Sequence, residues 1–144
     1  MSTRIQVALD CADPDRLARF WAEALGYQLQ PPPAGYASWP EFLEAAGVPR
    51  DKWNSASAVV DPEGVGPRMF FQQVPEVKAG KNRMHLDLNV GGGAKVPVAE
   101  REPRVVAEVE RLRGLGASRT GEFHEHDEFW VVMQDPEGNE FCVQ

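Results

Sequence analysis

Four polar side chains lie on the faces of predicted strands that are opposite to apolar neighbours. They are Gln6, Gln72 or its neighbour Gln73, His85 and Glu140. An imidazole nitrogen, a carboxylate and two amide oxygens are able to hold a divalent metal and leave positions open for substrate or water. Only one of these side chains is anionic, and a neutral Gln amide competes poorly with water as a metal ligand. The residue types alone therefore favour a hydrogen-bonded network on the floor of a pocket over a metal site.

Two further groups are candidates for chemistry. His124 and His126 lie in an acidic stretch over residues 122–128, where a solvated loop is favoured over a surface metal cluster. Cys142 is a candidate nucleophile, yet no basic neighbour in the sequence lowers its thiol pKa, so a buried inert thiol is favoured. Cys11 and Cys142 form no CxxC pair, and we expect no structural disulfide.

The elements that position these residues recur in the same order in both halves of the chain. In the first half, alternation predicts a strand over 5–10, and Asp13-Pro14 and Gly26 mark the ends of an amphipathic helix. A proline-rich excursion from Pro31 to about Trp53 follows, with two helical turns over 40–46. Further strands are predicted over residues 27–30, 55–60 and 68–74.

The second half repeats this order. Alternation from Met84 to Val90 predicts a strand, and apolar spacing predicts a helix that begins at Pro103 and ends at Gly114. Three strands are predicted after it, over residues 117–120, 129–134 and 139–143. The turn sequence Asp-Pro-Glu-Gly stands at 61–64 and again at 135–138. We therefore predict one domain over 1–144, made of two duplicated βαβββ units over about 1–78 and about 79–144.

The composition limits the class of protein. With 144 residues, of which 42% are hydrophobic and 26% charged, the chain has enough residues for one buried core and too few for two full-sized domains. A net charge of −7 without a basic stripe disfavours nucleic acid as a partner. No apolar run approaches the roughly 18 residues of a membrane helix, and the first residues do not resemble a signal peptide. We therefore expect a cytoplasmic protein with a small-molecule ligand and no membrane or nucleic-acid partner.

Three stretches together carry a family resemblance. They are the helix from Asp13-Pro14 through Phe20-Trp21 to Leu25-Gly26, residues 81–88 (KNRMHLDL) and residues 135–143 (DPEGNEFCV). With them the chain resembles, over essentially its whole length, the glyoxalase-like branch of the vicinal oxygen chelate superfamily. The resemblance implies an α+β fold in which two βαβββ units form an open barrel-like sheet around a central cleft.

The resemblance also implies a ligand set and a reaction class. The superfamily's metal positions correspond to Gln6, Gln72, His85 and Glu140, with Glu140 first a ligand and second a possible catalytic base. Gln72 departs from the carboxylate that glyoxalase I has at its position, which argues against glyoxalase activity itself. The implied cofactor is a divalent metal, and the sequence does not choose among Zn²⁺, Ni²⁺, Mn²⁺ and Fe²⁺.

Two functions from different classes follow from the resemblance. The first is a small-molecule enzyme of lyase, isomerase or dioxygenase-like type, in which the metal polarises a substrate oxygen. The alternative is a metal-free binding or antibiotic-sequestering protein of the bleomycin-resistance type. We also expect a homodimer, because such small units commonly pair and because Trp39 and Trp53 would be costly to leave exposed.

Overall fold

The computed structural model describes residues 1–144, which contain three α-helices and eight strands. The helices are α1 (Pro14–Leu25), α2 (Trp39–Ala45) and α3 (Val98–Gly114), and a short 3-10 turn spans Arg50–Lys52. The strands are β1 (Val7–Cys11), β2 (Gln28–Leu29), β3 (Ala56–Val60), β4 (Met69–Gln73), β5 (Asp87–Leu88), β6 (Ser118–Glu125), β7 (Glu128–Gln134) and β8 (Glu140–Val143). The chain divides into two compact units, Met1–Val77 and Lys78–Gln144.

The first unit is a four-stranded sheet with α1 packed on one face. Its strand order is β1-β4-β3-β2, in which β1 and β4 are parallel and the other neighbours are antiparallel. Helix α1 begins where the sequence predicts, since the Asp13 side chain accepts a hydrogen bond from the backbone N–H of Arg16, and it ends at Gly26 with φ of 68°. The buried side chains of α1 and of the sheet include Leu17, Trp21, Val59, Met69 and Phe71.

The second unit has the same connectivity. Its sheet has the order β5-β8-β7-β6, again with one parallel pair, β5 with β8, and antiparallel neighbours beyond it. Helix α3 contributes Val105, Val109 and Leu112 to a core shared with the buried residues of β7 and β8. The α+β class and the two βαβββ units are therefore confirmed, and each sheet is open rather than closed on itself.

The two Asp-Pro-Glu-Gly turns are built in the same way. In each turn the aspartate carboxylate accepts hydrogen bonds from the backbone N–H groups two and four residues later. The first turn carries one more such bond, from Gly66 to Asp61 at 2.7 Å. Asp135 is the one buried acidic residue of the chain, and the Asn139 amide also donates to it. The repeated tetrapeptide therefore marks equivalent turns that deliver β4 and β8 to their sheets.

Three element boundaries differ from the sequence-based prediction. Helix α3 begins at Val98, five residues before the predicted start, because Pro97 stands at its N-cap and Pro103 is accommodated inside the helix. Strand β5 is only two residues long, and Met84, at the start of the predicted strand, lies outside it and is 88% exposed. The acidic stretch is not a loop, since β6 runs to Glu125 and pairs with β7 almost to the tip of a hairpin.

The indole N–H groups of the two tryptophans in the proline-rich segment both find hydrogen-bond acceptors within the first unit. The indole N–H of Trp39 donates to the carbonyl of Gln30 at 2.7 Å, and that of Trp53 donates to the carbonyl of Val48 at 2.9 Å. Trp39 also packs edge-to-face on Phe42. Exposure of these rings therefore supplies no argument for a homodimer, because both are half-buried in a single chain.

Among the helices of the structure, none combines the length and the apolar character that crossing a bilayer requires.

A matched pair of substitutions tests the core of the second unit. Val143 on β8 is fully buried, whereas Val65, in the loop before β4, is 86% exposed. We expect Val143→Ala to lower the free energy of unfolding by about 2 kcal/mol, because two methyl groups leave a packed core. Val65→Ala should change it by less than about 0.5 kcal/mol. Urea unfolding of both variants measures the difference, and equal losses would contradict the placement of β8 in the core.

Candidate functional site

The polar face of the first unit lies on the parallel pair β1 and β4. Val7 stands opposite Met69 in this pair, so the register places Gln6 opposite Arg68. The Arg68 guanidinium donates to Gln6 Oε1 at 2.8 Å and to Gln30 Oε1 at 2.6 Å. A hydrogen-bonded network, with a cation as its centre, thus occupies the position next to Gln6.

The structure does not bring Gln72 to Gln6. Gln72 shares a face with Gln6, but it stands opposite Asp10, four residues further along the strands. At about 3.3 Å per residue that separation is roughly 13 Å, too far for two ligands of one metal ion. Gln73 lies on the opposite face and donates to the carbonyl of Ala12 at 3.1 Å. The first unit therefore does not form the pair of amide ligands expected from the sequence.

The polar face of the second unit is different in character. His85 and Asp87 precede and begin β5, and Cys142 of β8 stands opposite Asp87 in the parallel register. The Nδ1 atom of His85 lies 3.1 Å from Asp87 Oδ1 and 4.0 Å from Cys142 Sγ. The ligating atoms of these three residues all lie within 4.8 Å of one another. Imidazole, carboxylate and thiol therefore converge on one spot of this sheet.

The environment of the three side chains is mixed. The side chains of His85 and Asp87 are 41% and 43% exposed, while Cys142 is 8% exposed. Burial raises the pKa of the Cys142 thiol, and the neighbouring Asp87 carboxylate raises it further. Without a cation the thiol is therefore protonated at neutral pH, which is the inert state expected from the sequence.

Glu140 lies on the same face of β8 as Cys142, and the register continued by two residues places it opposite His85. Its carboxylate accepts a hydrogen bond from the backbone N–H of Asn82 at 2.9 Å and forms an ion pair with the Lys78 ammonium at 3.1 Å. These bonds, the Asn82 N–H first, lower the pKa of Glu140 to about 2. Glu140 is therefore a fixed anion beside the cluster rather than a member of it.

The remaining histidines lie on the β6–β7 hairpin. His124 packs on the ring of Phe129 and faces Glu102 at 3.6 Å, and His126 stands at the tip with its side chain 90% exposed. The only set of three or more candidate ligand residues that converges in the chain is the one at His85. The acidic stretch is therefore part of a hairpin and not the loop that the sequence predicts.

Sequence reasoning missed Arg68 and the role of Asp87. The signal for Arg68 is the spacing after the repeated turn. The segment from Asp61 to Arg68 is two residues longer than the segment from Asp135 to Glu140. Arg68 and not Gln72 is the counterpart of Glu140, because Arg68 stands opposite Gln6 as Glu140 stands opposite His85. The signal for Asp87 is its alternation with His85, which places both side chains on one strand face.

A family model described as a glyoxalase-like domain matches residues 6–144. The chain belongs to this glyoxalase-like family. No protein in a search of curated sequences matches it.

Solved structures confirm the fold of this glyoxalase-like domain. A glyoxalase/bleomycin resistance protein/dioxygenase family enzyme from Burkholderia phytofirmans is 14% identical with a TM-score of 0.62, covering 96% of this chain and 94% of that one. The fosfomycin resistance protein FosX from Listeria monocytogenes, in complex with Mn(II) and a dihydroxypropylphosphonic acid, is 12% identical with a TM-score of 0.61. That match covers 100% of this chain and 90% of that one. A possible glyoxalase from Bacillus cereus is 15% identical with a TM-score of 0.59, covering 100% and 99%.

The ion pair of Glu140 gives the glyoxalase-like domain a testable pH dependence. Because the folded-state pKa is about 2 and the ordinary value is 4.5, the bonds to Glu140 stabilise the fold fully above that ordinary value. Their contribution is lost as the pH falls toward 2. We expect Glu140→Gln to cost about 1.5 kcal/mol at pH 7 and clearly less at pH 3.

Urea unfolding at the two pH values measures this change, with Glu63→Gln at an exposed turn position as the control. The control should show no pH-dependent difference from the wild type. A Glu140→Gln deficit of equal size at both pH values would show that the carboxylate charge does not stabilise the fold.

Proposed function

We propose that this protein is a small-molecule enzyme that uses a divalent metal, held by the second unit with His85 as a ligand. The observation that carries the proposal is the placement of His85. It is the only histidine whose ring nitrogen lies within 4.8 Å of two other ligand atoms, a carboxylate oxygen and a thiol sulfur. Its half-exposed ring leaves room for substrate or water beside the ligands, as catalytic metal sites require.

The neighbouring residues suit a ligand of small organic type. The strand next to β8 is β7, and Val132 of β7 stands opposite Cys142. Trp130 lies on the same strand face as Val132, and Phe123 stacks on it with ring centres 5.5 Å apart. The polar cluster is therefore bordered by an apolar and aromatic surface, the combination typical of small-molecule sites.

Glu140 supports the metal in this proposal more than it takes part in proton transfer. A carboxylate with a pKa of about 2 is ionised at neutral pH, which suits a metal ligand or a balancing charge. The same low pKa makes it a weak general base, because efficient bases have pKa values near the working pH. When bound, the metal would act as a Lewis acid on a substrate oxygen and ease proton movement or ring opening. FosX, a neighbour in fold that binds Mn(II), offers a precedent for metal use.

A metal-free binding protein of the bleomycin-resistance type is the second candidate. The observation that favours it is the Arg68 network on the first unit, which places a cation where the duplicated geometry would otherwise offer a carboxylate. A guanidinium at that position repels a metal ion and attracts an anionic group of a ligand. Metal content of the purified protein decides between the two candidates.

The metal proposal predicts unequal effects of histidine substitutions. We expect His85→Ala to abolish stoichiometric binding of Zn²⁺ or Mn²⁺, because the imidazole is the one strong neutral ligand of the cluster. His124→Ala, on the exposed hairpin, should leave binding unchanged. Isothermal titration and elemental analysis of the untagged full-length chain measure both variants. Equal losses would assign the metal to the hairpin, and no binding by the wild type would favour the metal-free candidate.

The homodimer is the remaining part of the proposal. Apolar side chains that a single chain leaves exposed include Ile5, Val65, Val77 and Met84. Partner burial of such residues is the usual reason for pairing of small domains. We expect light scattering at micromolar concentration to give a mass of twice 16.0 kDa. A species of 16.0 kDa under those conditions would contradict the homodimer.

A further inference from the structure

The parallel pair β5 and β8 fixes the positions of three ligand-type side chains with backbone hydrogen bonds. The N–H of Cys142 donates to the carbonyl of Leu86, and the N–H of Gln144 donates to the carbonyl of Leu88, both at 2.9 Å. Cys142 stands opposite Asp87 in the sheet, and His85 lies two residues before Asp87, where extended backbone places its side chain on the same face. The sheet therefore fixes Asp87 and Cys142, and the ladder bond to Leu86 holds the segment that carries His85 beside them.

The distances within this His-Asp-Cys cluster suit a tetrahedral metal. Metal–ligand bonds of about 2.0 Å for nitrogen and oxygen and 2.3 Å for sulfur place neighbouring ligand atoms roughly 3.3–3.6 Å apart. The structure has 3.1 Å between His85 Nδ1 and Asp87 Oδ1, and 4.0 Å between His85 Nδ1 and Cys142 Sγ. These two separations differ from that range by about half an ångström or less, and the third, between Asp87 and Cys142, is at most 4.8 Å.

A nucleophilic Cys-His-Asp arrangement does not fit the same atoms. In such a triad the imidazole contacts the nucleophile with one ring nitrogen and the carboxylate with the other. Here Asp87 and Cys142 both approach Nδ1 of His85. A metal ion fits these atoms, because it accepts the imidazole, the carboxylate and the thiolate together.

We propose that His85, Asp87 and Cys142 form a three-ligand site for a thiophilic divalent metal such as Zn²⁺, with an open fourth position. This inference rests on the proposed function for the use of a metal, and it adds the identity of two ligands and the class of metal. Cysteine thiolate selects Zn²⁺ and similar ions over Mn²⁺ and Mg²⁺, which prefer oxygen ligands. Glu140 stays paired with Lys78 outside the ligand set.

Co²⁺ is a spectroscopic probe of this site. We expect titration of the untagged full-length protein, kept reduced with a non-chelating phosphine, to give one equivalent of tetrahedral Co²⁺ with a thiolate-to-cobalt charge-transfer band. Zn²⁺ should displace it stoichiometrically, and Mn²⁺ should not. This readout needs no substrate and no substitution, so it does not depend on the folding of a variant.

Substitution of each cysteine in turn identifies the sulfur atom that gives rise to the charge-transfer band. Cys142→Ser should remove the charge-transfer band and weaken Zn²⁺ binding by more than about 100-fold, since even the loss of an outer-shell partner costs 10–100-fold. Cys11→Ser is the matched control, because Cys11 is the other buried cysteine and lies on β1 of the first unit. It should leave the band unchanged. Asp87→Asn, at an exposed position, should weaken binding without affecting the melting temperature of the apoprotein.

The outcomes separate this inference from the proposed function. Metal binding that depends on His85 but shows no charge-transfer band, or that survives Cys142→Ser unchanged, overturns the thiolate site and leaves metal use intact. A wild-type protein that binds neither Zn²⁺ nor Co²⁺ nor Mn²⁺ overturns both. A band that persists in Cys142→Ser and disappears in Cys11→Ser would place the metal on the other cysteine and also overturn the inference.

Discussion

Register between β5 and β8 is the constraint on which both the core and the candidate site of the second unit depend. The ladder bonds from Cys142 and Gln144 hold Phe141 and Val143 toward α3 and leave Glu140 and Cys142 on the opposite face. A slip by one residue would exchange the two faces, exposing the core residues and burying the carboxylate. The apolar packing that fixes the register is therefore also what holds the polar cluster together. The stability of the second unit and the geometry of its candidate site therefore depend on the same strand pair.

The two units share one strand order but carry different charges at corresponding positions. Corresponding positions on the parallel pairs hold Gln6 and Arg68 in the first unit and His85 and Glu140 in the second. The first pair presents a guanidinium held by two amide oxygens, and the second presents an anion and an imidazole. These side chains extend from equivalent positions of the two parallel pairs, so the charge that each pair presents depends on the residue type at these positions.

The parts of the fold that local chemistry decides could be predicted from the sequence. Asp13, Pro14 and Gly26 define α1 through capping, and the repeated turn follows from the aspartate that accepts backbone N–H groups. Tertiary register could not be predicted in this way. Gln72 shares a face with Gln6, but only the register of β1 with β4 shows that it stands four residues beyond the position opposite Gln6. The early start of α3 escaped prediction because Pro103 is tolerated inside the helix.

The candidate site also depends on how the second unit folds. Strands β6 and β7 are joined by a tight hairpin, whereas His85 and Cys142 are separated by 57 positions in the sequence. Strands that are close in sequence pair early, because closing a short loop loses little conformational entropy. Contacts between distant segments form later, because closing a long loop loses more. The hairpin can therefore exist before β5 joins β8, but the cluster cannot. A second unit in which the two-residue β5 has detached would keep most of its sheet, with Cys142 still in β8, but would separate His85 and Asp87 from it. The cluster would therefore come apart before the secondary structure is lost during partial unfolding.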